Sequence, residues 1–212
     1  MNDTIVTLQR SRIVPIVTIG HPAEVDAIAS GLVAGGIAAV EITLRSEHGL
    51  SAIRRIAQRG DIRVGAGTVL TEEDATRAAE AGASFVVSPG FDERVVAASE
   101  AAGTLPLPGV ATATEIQRAR DRGLRHLKVF PIATVGGTSF LDAVSGPFRD
   151  VAFMLSGGVT LSTAARYLSH PSVFCVGGSW LVPPQRDGDL EEAVRGLAAA
   201  TLQSLAETAT DD

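Results

Sequence analysis

The stretch RVGAGTVLTEEDATRAAEAGASFVVSPG, Arg63 to Gly90, contains one complete structural unit and the start of the next. It opens on a short run of small and apolar residues, Arg63–Ala66, of a length that suits a buried strand. Thr71 then precedes Glu72, Glu73 and Asp74. A hydroxyl at an N-cap followed by acids in the first turn predicts a helix, over Glu72–Ala81. Gly82 follows, where a C′ residue must turn left-handed and glycine does so without a Cβ penalty. Phe85–Ser88 is a second apolar run. Strand, capped helix and strand in this order make a βαβ unit, whose strands lie parallel.

The same unit recurs in both directions. Apolar runs predict strands at Ile13–Ile19, Ala38–Leu44, Leu105–Pro108, His126–Phe130, Ala152–Ser156 and Val173–Val176. Amphipathic segments predict helices at Ala23–Ala34, Leu50–Arg59, Glu93–Ala102, Thr114–Arg122, Ser139–Val144, Leu161–Leu168 and Leu190–Leu205. Gly35-Gly36, Gly103 and Gly123 punctuate helix ends as Gly82 does. Eight such units in 212 residues fit a compact, single-domain (β/α)8 TIM barrel over residues 1–212 better than an open doubly wound sheet. The first strand–helix joint also has no G-x-G-x-x-G of the dinucleotide folds. The segment Asn2–Arg10 is expected to help close the barrel bottom.

Composition limits the function. A formal net charge of −6 without any basic block argues against nucleic acid and against an anionic membrane surface. Cys175 is the only cysteine, so no disulfide forms within the chain, and its apolar setting reads as a buried core thiol. The N-terminus has no basic and apolar leader pattern, and no apolar run reaches spanning length. A cytoplasmic protein is expected.

In such a barrel the chemistry belongs at the C-terminal strand ends and the loops after them. In Ala38–Ser46, AAVEITLRS, alternation puts Val40, Ile42 and Leu44 on one face and Glu41, Thr43 and Arg45 on the other. The aliphatic face must meet the helices, so Glu41 and Arg45 point into the barrel. They are either a structural pair or functional, because an unpaired buried charge is costly. By the same alternation Lys128 and Phe130 point inward. Lys128 is the only lysine among 18 basic residues, which is informative because arginine serves a salt bridge equally well. Burial and a nearby cation favour the neutral amine, which attacks carbonyl carbon, whereas a guanidinium stays protonated. A purely structural pairing of Lys128 with Glu41 is the alternative.

Paired glycines end the last two strands, Gly157-Gly158 and Gly177-Gly178, the latter followed by Ser179. They expose backbone N–H groups where these barrels commonly hold phosphate. Thr68 offers a hydroxyl at the mouth, and Pro89 lies at the end of the fourth strand. His21, His48, His126 and His170 read as surface or structural residues. No spacing such as H-E-x-x-H points to a catalytic metal.

With these residues in place, the chain resembles the KDPG/KHG aldolase family, the 2-keto-3-deoxy-6-phosphogluconate and 4-hydroxy-2-oxoglutarate aldolases. The resemblance runs from about Ile13 to Pro183 through VEITLRS, VGAGTVL, VSPGF, LPGVAT, LKVFPIATVGG, SGGV and VGGSWLVP, in that order. It implies a class I aldolase, with no metal and no cofactor, acting on a small keto-acid phosphate. Lys128 matches the Schiff-base lysine and Glu41 the acid/base. Arg45 and Thr68 match positions that hold the pyruvyl carboxylate. Pro89 and Phe130 match the pyruvate pocket. Gly157, Gly158, Gly177, Gly178 and Ser179 match the phosphate cradle. A homotrimer is implied by the resemblance alone. Two departures bear on specificity: Ser156 follows Leu155 where many members read Pro-Thr, and Ile132 stands where alanine is usual. Open alternatives are an aldolase for the galactonate epimer or for hydroxyoxoglutarate alone, and a noncatalytic barrel that binds a sugar phosphate.

Overall fold

The computed structural model describes residues 3–184 and 188–208. Asn2, the first residue of the expected bottom-closing segment, and the extreme ends of the 1–212 domain span lie outside the described residues.

The rest of that N-terminal segment is a helix, α1 (Asp3–Ser11). Strand β1 (Ile13–Val17) leads through a short 3-10 turn, Pro22–Glu24, into α2 (Val25–Ala34). The single helix expected from Ala23 thus begins with one tighter turn. His21 caps it, its Nδ1 accepting from Ala23 N–H at 3.2 Å. Then come β2 (Ala39–Thr43), α3 (Gly49–Arg59), β3 (Arg63–Gly67), α4 (Glu72–Glu80), β4 (Phe85–Val87) and α5 (Glu93–Ala101). Thr71 caps α4 as expected, accepting from Asp74 N–H at 3.0 Å.

The fifth strand position is divided. β5 (Leu105–Leu107) pairs with β4, and β6 (Gly109–Val110) pairs with the next strand, β7 (His126–Val129). Pro108, which cannot donate, is the joint between them. Its carbonyl accepts from Lys128 N–H at 2.9 Å, which starts the new pairing. Helix α6 (Ala113–Asp121) connects the two, and α7 (Thr138–Ser145), β8 (Ala152–Leu155), α8 (Leu161–Leu168), β9 (Val173–Gly178) and α9 (Leu190–Thr208) complete the order. All pairings are parallel, in the order β5-β4-β3-β2-β1-β9-β8-β7-β6. With β5 and β6 as two arms of one position, eight positions close into an α/β barrel.

Alternation divides the apolar residues into two cores. Ile13, Val40, Ile42, Val64, Leu127, Val129 and Leu155 face outward and meet the helices in one continuous cluster. A second cluster fills the barrel: Val14, Ala39, Phe85, Val87, Leu107, Met154, Phe174 and Cys175, closed from below by Ile5 and Leu8 of α1. Phe174 and Cys175 both join this inner cluster because a bulge shifts the register between β8 and β9. Cys175 is a fully buried thiol, as expected, and burial, with the nearby Glu41 charge, pushes its pKa well up.

Candidate active site

Three inward positions carry a polar residue above a lower one. Above Ala39 on β2 comes Glu41, above His126 on β7 comes Lys128, and above Met154 on β8 comes Ser156. These upper residues surround a cavity of about 310 Å³ that opens at the C-terminal strand ends. Glu41 and Lys128 are 1% and 6% exposed. Their charged ends approach to 3.7 Å, Lys128 Nζ to Glu41 Oε1, an ion-pair separation too long for a hydrogen bond. Lys128 Nζ also lies 5.3 Å from the Phe130 ring centroid, in reach of a cation–π contact.

Glu41 stands where it does because β3 has no side chain beside it. A Cβ on Gly67 would lie 2.0 Å from Glu41 Oε1. Below, Gly65 makes room in the same way for the Phe85 ring. Glu41 Oε2 and Ser156 Oγ are buried and have no hydrogen-bond partner among the described residues. Such groups carry a desolvation cost that a substrate atom would relieve.

Arg45 corrects one expectation. β2 ends at Thr43, whose hydroxyl meets that of Thr18 at 2.8 Å. Arg45 lies beyond the strand in the following turn, exposed on the rim and lining the cavity, not inside the barrel. It forms no ion pair with Glu41, so the structural Glu41–Arg45 pair is not what holds either residue. Thr68 also lines the rim, with φ at +59°, a left-handed conformation uncommon outside glycine. Pro89 and Phe130 complete that side.

The two glycine pairs line the cavity but differ in form. Gly157 and Gly158 turn left-handed, with φ of +87° and +84°. A Cβ on Gly157 would meet the Pro131 backbone at 2.6 Å, and one on Gly158 the Ala133 side chain at 2.5 Å. Their turn is held by the loop after β7, where Ile132 N–H donates to Ser156 O at 2.9 Å and Ala133 N–H to Gly157 O at 3.1 Å. Gly177 and Gly178 instead remain within β9, paired to Val14 and Pro15 of β1. The final strand therefore runs two residues past its expected end at Val176. Ser179, just beyond, is exposed at the rim.

Ile132 is the second correction. It is fully buried in the outer core and does not line the cavity, which Phe130, two residues earlier, does. Two lining residues went unnamed in the sequence, Ile16 and Val159. Ile16 could have been found, since it shares the inward face of β1 with Val14. Val159 lies in a loop where no periodicity applies.

The histidines stay out of the site. His126, beneath Lys128, packs edge-on against Phe174 with centroids 5.3 Å apart, and burial lowers its pKa. His170 contacts Asp142 and Ser172 near the start of β9. Among the described residues no three His, Cys, Asp or Glu side chains converge as metal ligands. No helix among them is long and apolar enough to cross a membrane.

Comparison with known proteins agrees with this geometry. A family profile described as KDPG and KHG aldolase matches residues 4–195. The 2-dehydro-3-deoxy-phosphogluconate aldolase of Pseudomonas aeruginosa is 46% identical over 176 residues, covering 82% of this chain and 80% of that protein. The enzyme of the same name from Treponema pallidum is 43% identical over 199 residues, covering 92% and 94%. A crystal structure of KDPG aldolase from Legionella pneumophila, with pyruvate captured at low pH as a covalent carbinolamine intermediate, superposes with a TM-score of 0.89. It is 33% identical, and the match covers 93% of this chain and 97% of that one.

Proposed function

The chain belongs to the KDPG and KHG aldolase family, and from that premise we propose that its cavity performs class I aldol cleavage of 2-keto-3-deoxy-6-phosphogluconate. The products are pyruvate and glyceraldehyde 3-phosphate. The observation that carries this reading is the buried Lys128–Glu41 pair, 3.7 Å apart at the floor of the only cavity that gathers nearly every residue singled out by the sequence among the described residues.

The chemistry follows from that pair. Glu41 takes one proton from the Lys128 ammonium, and the freed amine adds to the C2 ketone as a second N–H proton passes to the oxygen, giving a carbinolamine. Glu41, as acid, protonates the departing hydroxyl, water leaves, and an iminium remains. Glu41, now the carboxylate, accepts the proton of the C4 hydroxyl. The C3–C4 bond breaks, its electron pair moves into the iminium, and the aldehyde departs. The enamine left behind takes a proton at C3, and water returns to C2 to release pyruvate and free the amine. The iminium serves as electron sink, so the cycle requires neither metal nor organic cofactor. Glu41 suits both tasks because its carboxylate is desolvated beside a cation and moves protons over short distances.

Around the reacting carbons, Arg45 and Thr68 would hold the pyruvyl carboxylate, and Pro89 and Phe130 would flank its apolar edge. Gly157, Gly158, Gly177, Gly178 and Ser179 would surround the phosphoryl group, the Gly157-Gly158 turn offering backbone N–H groups, Ser179 its hydroxyl, and Gly177 and Gly178, held in the β9 ladder, side-chain-free space. Ser156, its hydroxyl unpartnered and facing the same space, is the residue proposed to read the sugar-acid chain. A single domain, cytoplasmic residence and a homotrimer complete the proposal, the last from family resemblance alone.

The test is pyruvate release from KDPG, its galactonate epimer and 4-hydroxy-2-oxoglutarate, with and without a strong chelator. The reading expects fastest cleavage of KDPG, unchanged by the chelator. Faster cleavage of either other compound would reassign the substrate, and chelator sensitivity would refute the class I mechanism.

A further inference from the structure

The indole of Trp180 stands between the cavity and the last helix. A Cβ on Gly178 would lie 1.6 Å from Trp180 Cζ3, so the ring occupies the space directly over that glycine's backbone. Gly178 and Ser179 line the cavity on the other side. Trp180 Nε1 donates to Thr201 Oγ1 of α9 at 3.1 Å. Thr201 is 1% exposed and commits its own proton to Leu197 O at 2.7 Å. Helix α9 is in turn seated tightly on α2. A Cβ on Gly31 would meet Glu191 O at 2.5 Å, and one on Gly35 would meet Ala198 Cβ at 2.4 Å. A continuous line of contact therefore runs from α2 through α9 and Thr201 to the indole and the end of β9.

We infer that Trp180 and Thr201 are a positioning pair for the phosphoryl end of the site. The inference rests on the reading of Gly178 and Ser179 as phosphate-binding residues. An apolar pair would fill the joint between α9 and β9 as well, with little change in stability. What the hydrogen bond adds is one ring orientation, since a partly buried indole N–H must face its acceptor. The ring then fixes the turn out of β9 at Gly178 and with it Ser179, and donor groups bind an anion well only when they are already aimed. Neither Trp180 nor Thr201 touches the reacting carbons, so their effect falls on binding of the phosphoryl group and not on the Lys128 chemistry.

The experiment compares the parent enzyme with Thr201→Val, Trp180→Phe, the double variant and Thr201→Ser, on KDPG and on unphosphorylated 4-hydroxy-2-oxoglutarate. Each single variant is expected to raise KM for KDPG about two- to tenfold, the range of one neutral hydrogen bond. The double variant should lose no more than the worse single, kcat should hold, and Thr201→Ser should restore KM. Hydroxyoxoglutarate kinetics and borohydride trapping of pyruvate should stay at parent values throughout. Equal losses on both substrates, additive losses, or unchanged KM would overturn the inference. A parent enzyme that draws no advantage from the phosphoryl group would overturn the phosphate reading and this inference together.

Discussion

Glu41 can stand beside Lys128 only because position 67 has no side chain. A methyl there would lie 2.0 Å from Glu41 Oε1, and the carboxylate would have to move. Displacement of a catalytic group by about 1 Å is enough for a hundredfold loss. Gly67→Ala is therefore expected to reduce kcat/KM about a hundredfold or more while the barrel still folds. Gly196→Ala, where the added methyl meets nothing within 4 Å, should keep parent activity. Parent-like kinetics in Gly67→Ala would show that the Glu41 position is not what the reaction needs. At this scale the sequence was legible where alternation applies. Glu41 and Lys128 lie inside strands, and their direction followed from the aliphatic residues between them. Arg45 lies past the strand end, where alternation no longer fixes direction, and was misplaced for that reason; Ile132 was singled out by family resemblance, which says nothing of where its side chain lies. Arg45 belongs on the rim and Ile132 in the outer core.

Among the elements, α1 was the least visible in advance. Its apolar residues, Ile5 and Leu8, are spaced for one helical face. Nine residues, however, make a marginal helix without a surface to dock on. The surface is the inner core at the barrel bottom, where the segment was expected, but its helical form was not legible in so short a stretch. Leu8 is fully buried there. Leu8→Ala is expected to cost about 2–5 kcal/mol in denaturant unfolding. Since α1 closes the end opposite the cavity, kcat should be unaffected in the folded fraction. A large kcat loss at unchanged stability would contradict this division between bottom and mouth. The divided fifth strand was hidden for a related reason. Pro108 reads as a terminator, yet the chain continues past it with a new partner. Gly109 permits this, since a Cβ there would lie 2.1 Å from Pro89 O. The remaining helices were more legible: Thr71, the cap read in the sequence, accepts from the first-turn backbone, and Asp92 and Thr112 do the same for α5 and α6.

As a whole, the barrel interior is apolar below and polar above. Phe85, Met154 and Phe174 fill the lower half, and the glycines of β3 and β9 thin the upper half so that Glu41, Lys128 and Ser156 meet around one space. A buried amine and carboxylate are thus held on rigid strands, under a rim formed by the loops that follow them. On the proposed mechanism the chain's one lysine stands at the buried position where a nucleophilic amine is required, a task no arginine can perform. Because every part of this account converges on that amine, the most direct test is reduction with borohydride in the presence of pyruvate, followed by intact mass and peptide mapping. One pyruvate-derived adduct per chain is expected, on the peptide containing Lys128 and absent from Lys128→Arg. No adduct under conditions that trap a known class I aldolase, or an adduct on any other residue, would contradict it.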